Sequence, residues 1–111
     1  MHLVNFDIFA RTISNLPGKA ILKTLGLDNE SLDHASENYR LFLPADAYSI
    51  FCFRQFVREM IAGKSVTICG PLPLAHVRFY RQTVMRLVGA NEMDPSALHK
   101  FDNAFSSAVT S

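Results

Sequence analysis

One short stretch of this chain occurs twice, and this repetition constrains the fold more than any other feature of the sequence. Residues 53–57 read Phe-Arg-Gln-Phe-Val, and residues 80–84, 27 positions later, read Tyr-Arg-Gln-Thr-Val. At the same offset, prolines stand at 44 and 71 and apolar residues at 50/77, 60/87 and 61/88. The pattern predicts two similar amphipathic helices, each with an arginine-bearing outer face. Two copies are too few for a solenoid, and unrelated amphipathic helices also reuse the same residue types.

Glycine, proline and capping residues bound the expected helices. A first helix should end at Leu-Pro-Gly, residues 16–18, and a second should run from about 19 to 25 and stop at Gly26. The third should cover about 29–41 and the fourth 45–62, which starts after Pro44 and stops at Gly63. The fifth should cover 74–88 and stop at Gly89, and the last should follow the Asp-Pro pair at 94–95.

The remaining segments complete an all-α prediction. Residues 65–69, Ser-Val-Thr-Ile-Cys, have strand-like composition, which indicates an extended connector or an edge paired with another chain. The tail from residue 106 is small and polar and should fray. We therefore expect a compact bundle of five to six short helices in a single domain, 1–111, with one extended segment at about 65–69. Its internal helical repeat would cover 44–63 and 71–90, and its frayed tail 106–111.

Composition supports a folded, non-membrane protein. The chain has 111 residues, of which 49% are apolar and nine are Phe, enough for a core without disulfides or metal. Its apolar stretches are shorter than the roughly 20 residues that span a membrane, and no secretory signal is expected. Cys52 and Cys69 lack the spacing of metal ligands and lie among apolar residues. We expect free buried thiols in a cytoplasmic protein.

Charge is distributed unevenly along the chain. The net charge is +1, yet residues 47–90 carry +5 while the segments on either side carry −2 each. The basic block coincides with the repeat. Such asymmetry indicates an anionic partner, or else internal pairing of the arginines with the acidic ends.

Helical periodicity divides each repeat helix into a core side and an outer side. The core sides should hold Ile50, Phe53, Val57 and Met60 in one helix and Val77, Tyr80, Val84 and Leu87 in the other. The outer sides should hold Arg54, Gln55, Arg58 and Glu59, with Phe51 between the arginines, and Arg78, Arg81, Gln82 and Met85.

Arginine beside a large apolar side chain is typical of protein interfaces, and it also suits phosphate contact and base stacking. The candidate partner-binding residues are Phe51, Arg54, Arg58, Arg78, Arg81 and Met85. The candidate nucleic-acid contacts are Arg54, Arg58, Lys64, Arg78, Arg81 and Arg86. The alternative is that Phe51 and Met85 are buried within the same chain.

Residues 21–35, Ile-Leu-Lys-Thr-Leu-Gly-Leu-Asp-Asn-Glu-Ser-Leu-Asp-His-Ala, resemble the helix-turn-helix of bacterial DNA-binding regulators. The resemblance covers only these residues and implies a turn at Gly26, although Leu22 stands where that family usually has a small Ala. The second helix would carry four carboxylates, at 28, 30, 33 and 37, with no basic residue before Arg40. Those charges repel phosphate, which favours a structural helical corner.

Catalytic signals are few. Asp33, His34 and Glu37 share one helical turn, but the second His of a zinc protease is missing. Cys69 would become a nucleophile if His76 or His99 approached it, which leaves a thiol enzyme or redox sensor as a third hypothesis. No phosphate loop, dinucleotide fingerprint or serine elbow occurs.

These patterns favour a cytoplasmic, non-enzymatic helical module, without cofactor or metal, that binds a protein partner and self-associates as a homodimer. The alternative is a small nucleic-acid-binding transcriptional regulator that uses the basic block 54–86.

Overall fold

The computed structural model describes residues 5–25, 45–106 and 109–110. These residues form an all-α bundle, as the sequence predicts. The elements are α1 (Phe6–Ser14), α2 (Gly18–Thr24), α3 (Ala45–Ala62), β1 (Leu72–Pro73), α4 (Leu74–Gly89), α5 (Ala97–Phe105) and β2 (Val109–Thr110). The predicted third helix, 29–41, and most of the helix-turn-helix-like segment lie outside the described residues. Within the described ranges, no helix has the length and apolar character needed to cross a membrane.

The short helices at the N-terminal end form a tight corner. The Asn5 side chain caps α1 by accepting a hydrogen bond from the backbone N–H of Ile8 at 3.1 Å. The helix ends at Ser14, two residues before the expected boundary at Leu16. Gly18 then starts α2 against the end of α4, where a Cβ would lie 2.6 Å from the Cβ of Ala90. A side chain at Gly18 would therefore force the two helices apart.

Helix α4 lies at the centre of the bundle and packs against α1, α2 and α5. Its core side is buried as predicted, with Tyr80, Val84 and Leu87 inaccessible to solvent. A second aromatic group lies between α3 and α5, where Phe56 packs edge-on against the stacked pair Phe101 and Phe105. Burial of such rings, together with the aliphatic side chains around them, contributes favourably to the free energy of folding.

The two long helices end in left-handed residues. Gly63 (φ 69°) follows α3, and the N–H of Lys64 reaches back to the carbonyl of Glu59 at 3.0 Å. After α4 the left-handed residue is Asn91 (φ 63°), and the N–H of Glu92 bonds to the carbonyl of Leu87. Asn tolerates this conformation better than most other residues. The helix ends at Gly89, one residue beyond the predicted end at 88.

Residues 64–71, here named the strap, return the chain to the beginning of α3. Along its length the strap meets Glu59, then Cys52, and finally Tyr48, whose hydroxyl lies against Gly70. The strand-like stretch at 65–69 is an extended connector, one of the two expected forms, and forms no strand. The short parallel pairing occurs between β1 and β2, and it involves the tail that we expected to fray.

Residues at the same position in the two sequence copies face each other across α3 and α4. Phe53 and Tyr80 stack with ring centroids 4.5 Å apart and planes 3° from parallel. One helical turn earlier, Ser49 bonds to His76, again 27 positions apart. The pairs advance in the same direction along both helices, which agrees with the strap bringing α4 back to the start of α3. Duplication of the sequence itself stays a prediction.

Candidate functional site

The outer side of α4 is exposed and carries an ordered arginine. Arg81 donates from Nε to Oδ1 of Asp102 at 2.9 Å and from Nη2 to Oδ2 at 3.2 Å. A third donor, Nη1, lies 3.8 Å from the Sδ of Met85. The side chains of Arg81 and Asp102 are 46% and 50% exposed, and Met85 is 49% exposed. The α4 face, defined as Arg78, Arg81, Met85 and Asp102 of α5, therefore presents an oriented guanidinium beside a large apolar group.

On the α4 face, Arg81 and Asp102 stabilise each other's charged forms. The hydrogen bond from Arg81 is the main reason that the pKa of Asp102 is lowered, and the same bond raises the pKa of Arg81. Both groups therefore remain charged over the whole neutral range. Arg78, one turn before, is exposed and adds a second positive charge.

The outer side of α3 is less accessible. Phe51, Arg54 and Arg58, which precede Arg78, Arg81 and Met85 by 27 positions, are all half-buried. Burial, and secondarily the charge of Arg58, lowers the pKa of Arg54. The two predicted partner-binding triplets therefore lie in different environments.

Arg81 and Arg86, both predicted nucleic-acid contacts, have partners within the chain. Arg86 donates from Nη1 to the carbonyl of Ile13 at 2.9 Å and from Nη2 to the carbonyl of Leu16. It thus adds a charged donor to two carbonyls at and just after the end of α1, where Ile13 also accepts the backbone N–H of Leu16 at 3.2 Å. Arg81 is paired with Asp102. Lys64 lies on the strap, beside a groove of about 480 Å³ that Ile68, Lys100 and Asn103 also line.

Glu59 is placed differently from our expectation. We predicted it on the exposed outer side of α3, but it is only 7% exposed. Its Oε2 accepts the backbone N–H of Thr67 at 2.9 Å, and its Oε1 accepts the Thr67 hydroxyl at 2.7 Å. The strap covers Glu59, and these two bonds compensate for the loss of water.

The expectation of two free thiols is wrong. Cys52 and Cys69 form a disulfide, with Cα atoms 6.2 Å apart, a spacing within the ordinary range for such bonds. The strap brings Cys69 back over α3, which the sequence separation of 17 residues does not reveal. His76 bonds elsewhere, to Ser49, and His99 bonds to Asn103, so neither forms the nucleophile–base pair considered for Cys69.

A buried polar cluster between α3 and α4 was missed by the sequence interpretation. The Ser49 hydroxyl lies 2.9 Å from His76 Nδ1 and 2.6 Å from the Tyr80 hydroxyl, and His76 stacks on Phe6 at 3.6 Å. Burial raises the pKa of Tyr80, and burial also lowers the pKa of His76 against the opposing effect of Asp46 and Asp7. The 27-residue offset between Ser49 and His76 was the available signal.

Ser49 and His76 have the residue types of a nucleophile and a base. Ser49 is inaccessible to solvent, however, so its hydroxyl is closed to a substrate in this conformation. Within the cluster the buried polar groups form hydrogen bonds with one another, and these bonds determine which sides of α3 and α4 face each other. In the described parts of the chain, no group of His, Cys, Asp and Glu residues is arranged to hold a metal ion. Asp33, His34 and Glu37 lie outside these parts.

Comparison with known proteins found no matching family model, no similar curated protein and no similar solved structure.

Proposed function

We propose that this chain is a non-enzymatic interaction module that associates with a second copy of itself through the α4 face. The observation that carries the proposal is the ordered Arg81, held at two nitrogen atoms by Asp102 and in contact with the half-exposed Met85. Arginine and methionine are enriched at protein interfaces. An arginine that is already oriented loses less conformational entropy on binding than a free one.

The charge pattern of the α4 face favours a second copy as the partner. The face carries two cations, Arg78 and Arg81, together with the anion Asp102. Across a two-fold axis the same patch meets itself, so a patch with both signs can complement its copy. Met85 and the Arg81–Asp102 pair would be buried at the centre of such an interface, while Arg78 would lie at its rim.

The test is the mass of the full chain in solution, measured by light scattering over a hundredfold range of concentration and at two salt concentrations. The proposal expects a dimer whose dissociation constant rises in Met85→Gln. Lys19→Gln, a change at an exposed residue of α2, is the control and should leave the dimer intact. A wild-type monomer at the highest concentration, or an unchanged dimer in Met85→Gln, would overturn the proposal.

The same instrument distinguishes the nucleic-acid alternative. Random-sequence duplex DNA is added at low salt and again at high salt. The interaction-module proposal expects no gain in mass at either salt. A complex that forms at low salt and dissociates as salt rises would replace the proposal, because release of counterions governs such binding.

A further inference from the structure

We propose that Cys52 and Cys69 are a reversible redox-modification site whose reaction partners are low-molecular-weight thiols and disulfides, and that the bond controls how firmly the strap is held on α3. The inference is independent of the α4 face. It depends on the contact between the two sulfur atoms, on the unequal exposure of the two residues and on the other contacts of the strap.

The two cysteines differ in accessibility. Cys52 lies in the core and is 7% exposed, whereas Cys69, two residues before the end of the strap, is half-buried. A small thiolate can therefore approach the sulfur of Cys69 more readily than that of Cys52. Attack at Cys69 leaves Cys52 as the departing thiolate, shielded from further reagents.

The reaction is balanced by ordinary thiol–disulfide exchange. A thiolate attacks the Sγ of Cys69, the Sγ–Sγ bond breaks, and the Cys52 thiolate takes a proton from water. A second thiolate then attacks the small-molecule sulfur of the mixed disulfide and releases Cys69. Two electrons and two protons reach the protein, and two small thiols become one small disulfide. The reverse sequence, started by a small disulfide, restores the bond.

The fold can tolerate loss of this bond, because the strap has further contacts with the bundle. Thr67 remains bonded to Glu59 through two hydrogen bonds, and the N–H of Cys69 donates to the carbonyl of Ala104 at 3.3 Å. The core of a chain this long does not need a covalent staple. Reduction should therefore loosen the strap without unfolding the helices.

Loosening the strap has a defined structural consequence. The strap forms one wall of the groove of about 480 Å³ whose opposite wall is α5, with Lys100 and Asn103. It also carries Ile68, which is 66% exposed. The redox state of the cysteines would thus set the position of an apolar side chain and the shape of the groove beside it.

The first experiment measures the redox state of the full chain. The native protein is equilibrated in buffers that span reduced to oxidised glutathione, quenched in acid, unfolded in denaturant with iodoacetamide and weighed by mass spectrometry. We expect a smooth, reversible change from no alkylated cysteine to two. Two alkylated cysteines in every buffer, or none in any buffer, would overturn the proposal.

The second experiment measures hydrogen exchange of the strap. Exchange over residues 64–71 should be at least about tenfold faster in the reduced protein, while α4 should be unchanged. The double variant Cys52→Ser and Cys69→Ser should show fast exchange in both buffers. Thr67→Val removes the hydroxyl bond to Glu59, so it should speed exchange in both states and shift the alkylation curve towards easier reduction. This variant keeps the proposal testable even if the double variant fails to fold. Equal rates of hydrogen exchange over residues 64–71 in the oxidised and reduced wild-type proteins would refute the proposal that the disulfide holds the strap on α3.

Discussion

Helices α3 and α4 carry the same sequence pattern, yet the outer sides of the two helices make different contacts. Position 59 of α3 and position 86 of α4 are 27 residues apart, and the first holds Glu and the second Arg. Glu59 accepts the N–H and hydroxyl of Thr67, whereas Arg86 donates to the carbonyls at the end of α1. The negative Glu59 thus accepts hydrogen bonds from a backbone N–H and a hydroxyl, whereas the positive Arg86 donates hydrogen bonds to backbone carbonyl oxygens.

The difference shows what an amphipathic pattern determines. It selects the side of each helix that faces the core, and Phe53 and Tyr80 accordingly stack on each other. It does not determine what covers the other side. The strap covers Glu59 on α3, whereas the side of α4 that carries Arg81 and Met85 stays open to solvent.

The largest effect should come from the stacked core positions. Phe53→Ala should lower the free energy of unfolding by about 3–5 kcal/mol, because it empties a fully buried ring site. Phe51→Ala, two residues away on the same helix and half-buried, should cost about 1 kcal/mol. Urea denaturation measures both values. Equal losses would mean that the core side of α3 is assigned incorrectly.

The second largest effects on stability should come from Arg86 and Glu59, whose charged side chains connect distant segments of the bundle. Arg86→Met removes the donors to Ile13 and Leu16 and should cost about 1.5–3 kcal/mol, because these are hydrogen bonds to a charged group. Glu59→Gln keeps an acceptor for Thr67 and should cost less, about 1 kcal/mol. Thermal unfolding of both variants tests the order. If Arg86→Met left the free energy of unfolding unchanged, the hydrogen bonds from Arg86 to Ile13 and Leu16 would not stabilise the fold.

The buried cluster should make stability depend on pH. The pKa of His76 is lowered by burial, so the unfolded chain binds a proton at this position more readily than the folded protein does. Stability from this site is complete above the unfolded pKa of about 6.5 and is lost as pH falls from there towards the folded pKa. His76→Asn should flatten this part of the curve between pH 7.5 and 5.5, measured by urea midpoints. An unchanged slope in the variant would assign the pH dependence to other groups.

The smallest effect on stability should come from the α4 face. Arg81→Ala breaks an exposed ion pair with Asp102, and such pairs contribute little to stability because water screens them. Its urea midpoint should therefore lie close to that of the wild type, although its association should weaken. A decrease of several kcal/mol in the free energy of unfolding would mean that Arg81, like Arg86, stabilises the fold.

Much of this fold could be predicted from local sequence. The boundaries of α3 match those predicted, because a proline precedes the helix and a glycine follows it, and both act within one turn. The core side of α4 was also predicted correctly, since burial follows helical periodicity. The fold class needed no information beyond these patterns.

The missed features depend on contacts between distant segments. Glu59 looks exposed by periodicity, and only the path of the strap, eight residues further on, buries it. Cys52 and Cys69 meet for the same reason. The pair of Arg81 with Asp102 agrees with the internal pairing of arginines with the acidic ends that was one of the two expected outcomes. Charge counting does not show which arginine is paired, nor that Arg86 binds carbonyls near the end of α1.

The most direct test of the central claim, that the open side of α4 and not the matching side of α3 binds a partner, compares Arg81→Gln with Arg54→Gln. Each variant loses one positive charge at the same position of the repeat. Sedimentation equilibrium of the full chain gives the dimer dissociation constant. We predict about a tenfold or greater increase for Arg81→Gln and little change for Arg54→Gln. Equal increases for both variants, or a wild-type protein that never dimerises, would contradict the account.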